Sequence, residues 1–354
     1  MRLEFWKGKR VLLTGHTGFK GGWLALCLTE MGAEVHGYAL APPTDPSFFT
    51  LTRLADRLAG HCIQDIRDGE SLLQAVETAS PDIVFHLAAQ PLVRESYRTP
   101  VDTYAVNVMG TVHLLEAVRH VRGVRAVVVV TSDKCYENRH STAPARELDP
   151  MGGQDPYAGS KACAELVTQT YRRSFLDAAG IPVASARAGN VIGGGDWAAD
   201  RLVPDFLRAL DIGEPLAIRW PSAVRPWQHV LEPLSGYLRL AQRLHDQGRD
   251  YAEGWNFGPD QTETRSVQWI VEHLCAMVPG SRWRIDHSTQ PPEHHLLILD
   301  SAKARDRLGW QPRWNLATAL RRTLEWHNAW RGGEDMLDVS LRQIALYETE
   351  APGR

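Results

Sequence analysis

The chain is short of cysteine, of long apolar runs and of any excess charge. Its five cysteines (Cys27, Cys62, Cys135, Cys163, Cys275) are odd in number, scattered and without a CxxC pair. That pattern excludes a disulfide scaffold and a structural zinc site of the usual spacing, and suits a reducing compartment. No stretch approaches the ~18–20 apolar residues of a membrane-spanning helix. The segment Met1 to Lys7 has no apolar core of signal-peptide length, so a cytoplasmic location is expected. With 39 Lys+Arg against 42 Asp+Glu the net charge is −3, which argues against a nucleic acid or an anionic membrane as partner. What is present is an ordinary globular composition. The 354 residues, 44% hydrophobic and 23% charged, fit a folded chain of about two domains.

The first half alternates apolar runs with helical spacing. Arg10–Thr14 is a buried strand that stops at a glycine cluster, and Leu24, Leu28 and Met31 then mark a helix ended by Gly32. Glu34–Ala39 and Asp82–Leu87 are predicted strands, Ser71–Ala79 a helix and Val101–Val121 one long helix. Val127–Val130, all β-branched, has the composition of a strand covered on both faces. This alternation predicts an α/β architecture: a doubly wound parallel sheet of Rossmann type, with ligands at the carboxyl ends of the strands. After Pro182 the strands shorten and Pro, Trp and Gly become denser. The expected division is a dinucleotide-binding domain over 1–186, completed by about 225–255, and a smaller α/β substrate domain over most of 187–354.

The loop Thr14-Gly15-His16-Thr17-Gly18-Phe19-Lys20-Gly21 lies between a predicted strand and helix, with the spacing GxxGxxG. Gly15 allows a tight turn, Gly18 a close approach of backbone amides to a pyrophosphate, and Gly21 close packing of helix on sheet. The competing reading is a glycine-rich turn that binds nothing. Tyr38-Ala39-Leu40-Ala41 has neither an acid for a ribose diol nor an Arg for a 2′-phosphate, so NAD and NADP are not distinguished there. Asp65-Ile66 falls where a loop can cover an adenine; Asp65 is either an acceptor for the exocyclic amine or a surface turn residue.

Tyr157 and Lys161 form a YxxxK pair at a predicted helix start, where spacing of four shares one face. A lysine beside a tyrosine lowers the phenol pKa and makes a base of it, although a solvated helix face has the same spacing. Thr131-Ser132-Asp133-Lys134 follows the Val127–Val130 strand at the edge where ligands bind. Ser132 can bond the hydroxyl that Tyr157 addresses. Asp133 and Lys134 are either an acid and a base or a surface ion pair.

With these elements the sequence resembles the extended short-chain dehydrogenase/reductase family. The matching stretches are the loop Thr14–Gly21, Asp82-Ile83-Val84-Phe85-His86-Leu87-Ala88-Ala89, Asn107-Val108-Met109-Gly110-Thr111, and Tyr157 with Lys161. The resemblance extends to Leu308-Gly309-Trp310-Gln311-Pro312 and implies an enzyme acting on nucleotide-linked sugars. Within the family, Ser132-Asp133-Lys134-Cys135-Tyr136-Glu137-Asn138 looks most like the 4,6-dehydratases that act on CDP-glucose.

The resemblance implies an NAD-dependent hydro-lyase, with Ser132, Asp133, Lys134, Tyr157 and Lys161 as catalytic residues. Tyr157 is the base at carbon 4, Lys134 the base at carbon 5 and Asp133 the acid for the departing carbon-6 hydroxyl. It places the cofactor on Gly15, Thr17, Gly18, Phe19, Lys20, Gly21, Asp65, Ile66, Leu87, Ala88 and Ala89, as well as on Tyr157 and Lys161. It places the substrate on Arg94, Ser96, Asn190, Arg201, Leu202, Val203, Arg219, Arg225 and His295, with Arg225 in a loop and holding the diphosphate. No metal is expected; His294-His295 with Glu293 lacks a signalled third ligand. His86 is expected to satisfy backbone groups, and Asn107 to bridge helix and strand. A homodimer or a dimer of dimers is implied. The alternatives are a dehydratase or epimerase for a GDP-, dTDP- or UDP-hexose, and a non-catalytic dinucleotide sensor.

Overall fold

A computed structural model describes residues 3–137, 143–288 and 298–350. Asn138, Glu293, His294 and His295, the last an expected substrate residue, lie outside the described residues.

Seven parallel strands form the central sheet. In chain order the first six are β1 (Arg10–Thr14), β2 (Glu34–Ala39), β3 (Gly60–Ile63), β4 (Ile83–His86), β5 (Ala126–Val130) and β6 (Val183–Ala188); Gly254–Phe257 is the seventh. Their spatial order is Gly254–Phe257, β6, β5, β4, β1, β2, β3. The register places Val11 opposite both Val35 and Ile83, and Val127 opposite Val84 and Val183. Side chains alternate between two cores, as a period of two requires. Leu13, Phe85 and Val128 join the core under helices Phe19–Glu30 and Leu231–Gln247. Leu12, Val84 and Val127 join the opposite core under Gly69–Ala79 and Gly110–His120. A third core, including Ile192, Phe206, Ile218 and Ile270, holds the second half together.

Three local departures from the sequence reading have physical reasons. The apolar spacing over Val101–Val121 suggests one regular helix. The structure has an α-helical turn Pro100–Tyr104, a π-helical turn Ala105–Met109 and an α-helix Gly110–His120. The wider turn presents Asn107, whose Oδ1 accepts from the Gln90 amide at 2.8 Å and whose Nδ2 donates to Ser160 Oγ at 2.8 Å. β6 (Val-Ala-Ser-Ala-Arg-Ala) is buried throughout, yet its small residues carry no apolar pattern. β3 is the exposed edge strand, and it too lacks an apolar signature. No helix among the described residues is long and apolar enough to cross a membrane.

The strand order reverses between β1 and β4. The loops that follow these strands diverge there and leave a crevice at their carboxyl ends.

Candidate active site

The glycine loop is shaped by contacts that leave no room for side chains. Gly15 has φ +81°, and a Cβ there would meet Ala88 N at 2.7 Å, so the loop after β1 lies against the loop after β4. A Cβ on Gly21 would fall 2.0 Å from Gly15 O. Gly18 caps the helix Phe19–Glu30 without a side-chain hydrogen bond, and nothing but Gly15 O comes within 4 Å of its Cβ position. The first helical N–H groups therefore have no intrahelical partner and face a cradle suited to phosphate. Gly21→Ala is expected to force the loop apart, costing about 1–3 kcal/mol, or roughly ten- to hundredfold in dinucleotide affinity. Titration of NADH fluorescence checks this.

Behind the loop, Thr14 Oγ1 accepts from the amides of Leu87 and Ala88, each at 3.1 Å, and so donates to His86 Nδ1 at 2.7 Å. His86 Nε2 then donates to Thr111 Oγ1 at 3.2 Å. Burial first, and Lys161 second, lower the His86 pKa to about 3, which keeps the ring neutral. The expectation that His86 satisfies backbone groups is thus corrected: its partners are two hydroxyls, because Thr14 takes the backbone amides itself.

The crevice is a cavity of about 660 Å³. Along one half it is lined by the predicted cofactor residues Gly15, Thr17, Gly18, Phe19, Lys20 and Gly21. Asp65, Ile66, Leu87, Ala88 and Ala89 line it as well. Asp65 is ionised, since the Arg67 side chain hydrogen-bonds its carboxylate at 2.6 Å and holds its pKa down. An ionised carboxylate there can accept from an amine.

At the centre Ser132, Asp133, Lys134, Tyr157 and Lys161 line the same cavity. Asp155 caps the helix Pro156–Tyr171 through the Ala158 amide at 2.8 Å, which fixes where Tyr157 and Lys161 emerge. Ser132 Oγ donates to Asp133 Oδ1 at 3.0 Å and accepts from the Lys134 amide at 3.2 Å. Asp133 is buried and its Oδ2 has no hydrogen-bond partner among the described residues. Burial raises its pKa against the opposing pull of Lys134, Ser132, Arg225 and Lys20. A buried carboxyl whose pKa is raised and whose second oxygen is unpartnered is suited to donate a proton to a ligand.

The phenol behaves differently from the sequence expectation. Burial pushes Tyr157 up to about 12, with the Ser132 hydroxyl and Arg201 pulling the other way. The Lys161 ammonium donates to Val130 O at 3.4 Å, and burial lowers its own pKa to about 8. The correction has a simple cause: desolvation of the phenolate outweighs the pull of the Ser132 hydroxyl and Arg201.

The remaining half of the cavity is built by the second part of the chain. Asn190 follows β6, and Arg201 caps the helix Leu202–Ile212 and pairs with Asp196 at 2.8 Å. Leu202, Val203, Arg94, Arg219 and Arg225 line the cavity with them. Arg225 lies on a short strand paired with Arg265–Ser266, not in a loop, and is buried. Ser96 is corrected: it is fully buried, does not line the cavity, and its Oγ accepts from the Tyr157 amide at 3.1 Å while donating to Val93 O. It positions the tyrosine instead of meeting a sugar.

Two features escaped the sequence reading. One is the buried pair Glu165–Arg187, at 2.8 Å, directly behind the Tyr-Lys face. Its only sequence signal is the continued spacing of four, Tyr157, Lys161, Glu165. The other is Asp200, to which both Arg94 and Arg219 donate.

This sheet, glycine loop and Tyr-Lys pair define an extended short-chain dehydrogenase/reductase. A family model described as GDP-mannose 4,6 dehydratase matches residues 12–323, and the chain belongs to that family. It is 54% identical over 350 residues to a CDP-glucose 4,6-dehydratase of Salmonella typhimurium, covering 97% of each chain. It is 27% identical to a dTDP-glucose 4,6-dehydratase of Xanthomonas campestris pv. campestris, covering 94% of this chain and 97% of the other. Among solved structures, a double mutant of a dTDP-glucose 4,6-dehydratase from Streptomyces venezuelae with NAD bound superposes with a TM-score of 0.80. That match has 26% identity and covers 93% of this chain and 99% of the other.

Proposed function

We propose that the protein converts CDP-D-glucose to CDP-4-dehydro-6-deoxy-D-glucose and water, with NAD as resident cofactor. The observation that carries this reading is Asp133: a buried acid with an unpartnered oxygen in the same cavity as Tyr157 and Lys134. Loss of a hydroxyl needs such an acid; epimerisation at carbon 4 does not. The cytidine preference rests on the 54% identity to the Salmonella enzyme.

When bound, NAD would supply the hydride acceptor for carbon 4 and the hydride donor for carbon 6. Gly18 and the start of the helix Phe19–Glu30 would hold its pyrophosphate, and Asp65 would accept from the adenine amine. Tyr157 Oη takes the proton of the carbon-4 hydroxyl as that carbon is oxidised, and Ser132 orients the hydroxyl. The ketone acidifies the hydrogen on carbon 5, which Lys134 Nζ removes. Asp133 gives its proton to the departing carbon-6 hydroxyl, which leaves as water. Lys134 returns a proton to carbon 5 as carbon 6 is reduced, and the Tyr157 proton replaces the one Asp133 lost. Arg225 and Asn190 hold the diphosphate and sugar.

In this reading the dinucleotide occupies the 1–186 part and the sugar nucleotide the part built mainly from 187–354. Val101 and Leu166, 80% and 53% exposed on the two helices beside the Tyr-Lys face, support a homodimer or a dimer of dimers. Five free thiols suit the cytoplasm. The test is a panel of CDP-, dTDP-, GDP- and UDP-hexoses with product mass as readout. CDP-glucose is expected to lose the mass of one water. An isomer of unchanged mass indicates an epimerase, and water loss from another nucleotide alone overturns the cytidine reading.

A further inference from the structure

One carboxylate that lines the cavity holds two arginines from different parts of the chain. Asp200 Oδ1 accepts from Arg94 Nη1 at 2.8 Å and from Arg219 Nη1 at 2.9 Å, and the Asp200 carbonyl accepts from Arg219 Nη2 at 3.5 Å. Arg94 belongs to the helix Val93–Arg98, after β4. Arg219 follows the strand Leu216–Ile218 in the second half of the chain. All three side chains line the cavity. Arg98 also approaches Asp200, at 3.7 Å, but is taken up by Glu95, and the nearby Asp205 pairs with Arg208.

The backbone at Asp200 is left-handed, with φ +62°, a conformation that residues other than glycine adopt at a cost. That conformation places both the side chain and the carbonyl of one residue on Arg219. Two guanidinium groups repel one another unless an anion lies between them. The shared Asp200 oxygen lies between the two guanidinium groups and holds them together. Asp200 is itself firmly ionised: burial opposes ionisation, but the hydrogen bonds from Arg94 and Arg219 outweigh it.

We propose that Asp200 is a positioning residue, which draws Arg94 and Arg219 into one anion-binding fork for the diphosphate of the nucleotide sugar. The fork geometry of paired guanidinium groups matches phosphate oxygens. Asp200 acts only through the two arginines and need not touch the ligand. The inference rests on the sugar-nucleotide reading above, but on no particular base.

The experiment uses the full chain with saturating NAD and titrates CDP by calorimetry, alongside steady-state kinetics with CDP-glucose. Asp200→Asn removes the charge and keeps a residue tolerant of the left-handed conformation. It is expected to raise the Kd of CDP and the KM of CDP-glucose about tenfold, the loss of a charge-assisted hydrogen bond, with kcat within about twofold. In an Arg219→Ala background the same substitution is expected to change the Kd much less, as residues of one network do. Asp200→Gly, which relieves the backbone, gives the same result if the charge is what matters.

An unchanged or tighter Kd in Asp200→Asn overturns the inference; tighter binding makes the carboxylate an obstacle that the substrate displaces. An equal effect with and without Arg219 also overturns it, by showing a role outside the fork. If the wild-type chain binds UDP, dTDP or GDP but not CDP, the cytidine reading fails while the fork is tested with the nucleotide that binds. If it binds no nucleoside diphosphate, both fail.

Discussion

Tyr157→Phe is expected to lower kcat on CDP-glucose by about 10²–10⁴-fold, the usual contribution of a positioned general base. The Kd of CDP should stay within about twofold, because the diphosphate contacts lie in the other half of the cavity. With the phenol pushed up to about 12, little phenolate exists near neutral pH before ligands bind. Arg201 and Ser132 already favour ionisation, and the positive charge of an oxidised nicotinamide adds to them. The rate of 4-keto product formation at saturating substrate measures the effect. A loss of less than about tenfold would remove Tyr157 from the base role.

The second large effect concerns folding. Glu165→Ala is expected to lower stability by about 3–5 kcal/mol, since it leaves Arg187 buried without its counter-ion. The pair is fully enclosed, with both side chains 5% exposed. Glu165 accepts from Arg187 Nε and Nη2 at 2.8 Å each and from Ser185 Oγ at 2.6 Å. Arg187 Nη1 donates in turn to Tyr136 Oη at 2.7 Å, which donates to Asn256 Oδ1. The network ties the Tyr-Lys helix to β6, to the end of β5 and to the seventh strand. Denaturant unfolding measures the loss, and joint replacement by Glu165→Leu and Arg187→Met should recover much of it, because two apolar groups leave no orphaned charge. The pH sign follows from the same contacts. Burial would raise the Glu165 pKa, but Arg187, Ser185 and Thr131 together hold it below its ordinary 4.5. Its contribution to stability is therefore present above about 4.5 and is lost as the pH falls through the lower, folded value.

What was legible in the sequence was whatever one segment carries by itself. The glycine loop, the four strands β1, β2, β4 and β5, and the Tyr-Lys pair announce themselves through local apolar runs, turn residues and spacing. Asp133 was legible because it follows the buried Val127–Val130 run, and strand ends are where ligands bind. β3 and β6 were not, because an exposed edge strand and a strand of alanine and serine lack apolar periodicity. The π-helical turn at Ala105–Met109 was hidden by a regular apolar spacing on either side of it. Ser96, Asp200 and Glu165 depend on partners 61, 106 and 22 residues away, and no local pattern encodes those distances. The phenol pKa is of the same kind, since the enclosure that the whole fold creates is its largest cause.

The most direct test of the account uses CDP-glucose carrying deuterium at carbon 4. If the cavity oxidises carbon 4 and reduces carbon 6 with one tightly held nicotinamide, the product should be a 4-keto-6-deoxy sugar with the deuterium at carbon 6 and the mass of one water lost. Deuterium released to solvent or retained at carbon 4 would contradict it.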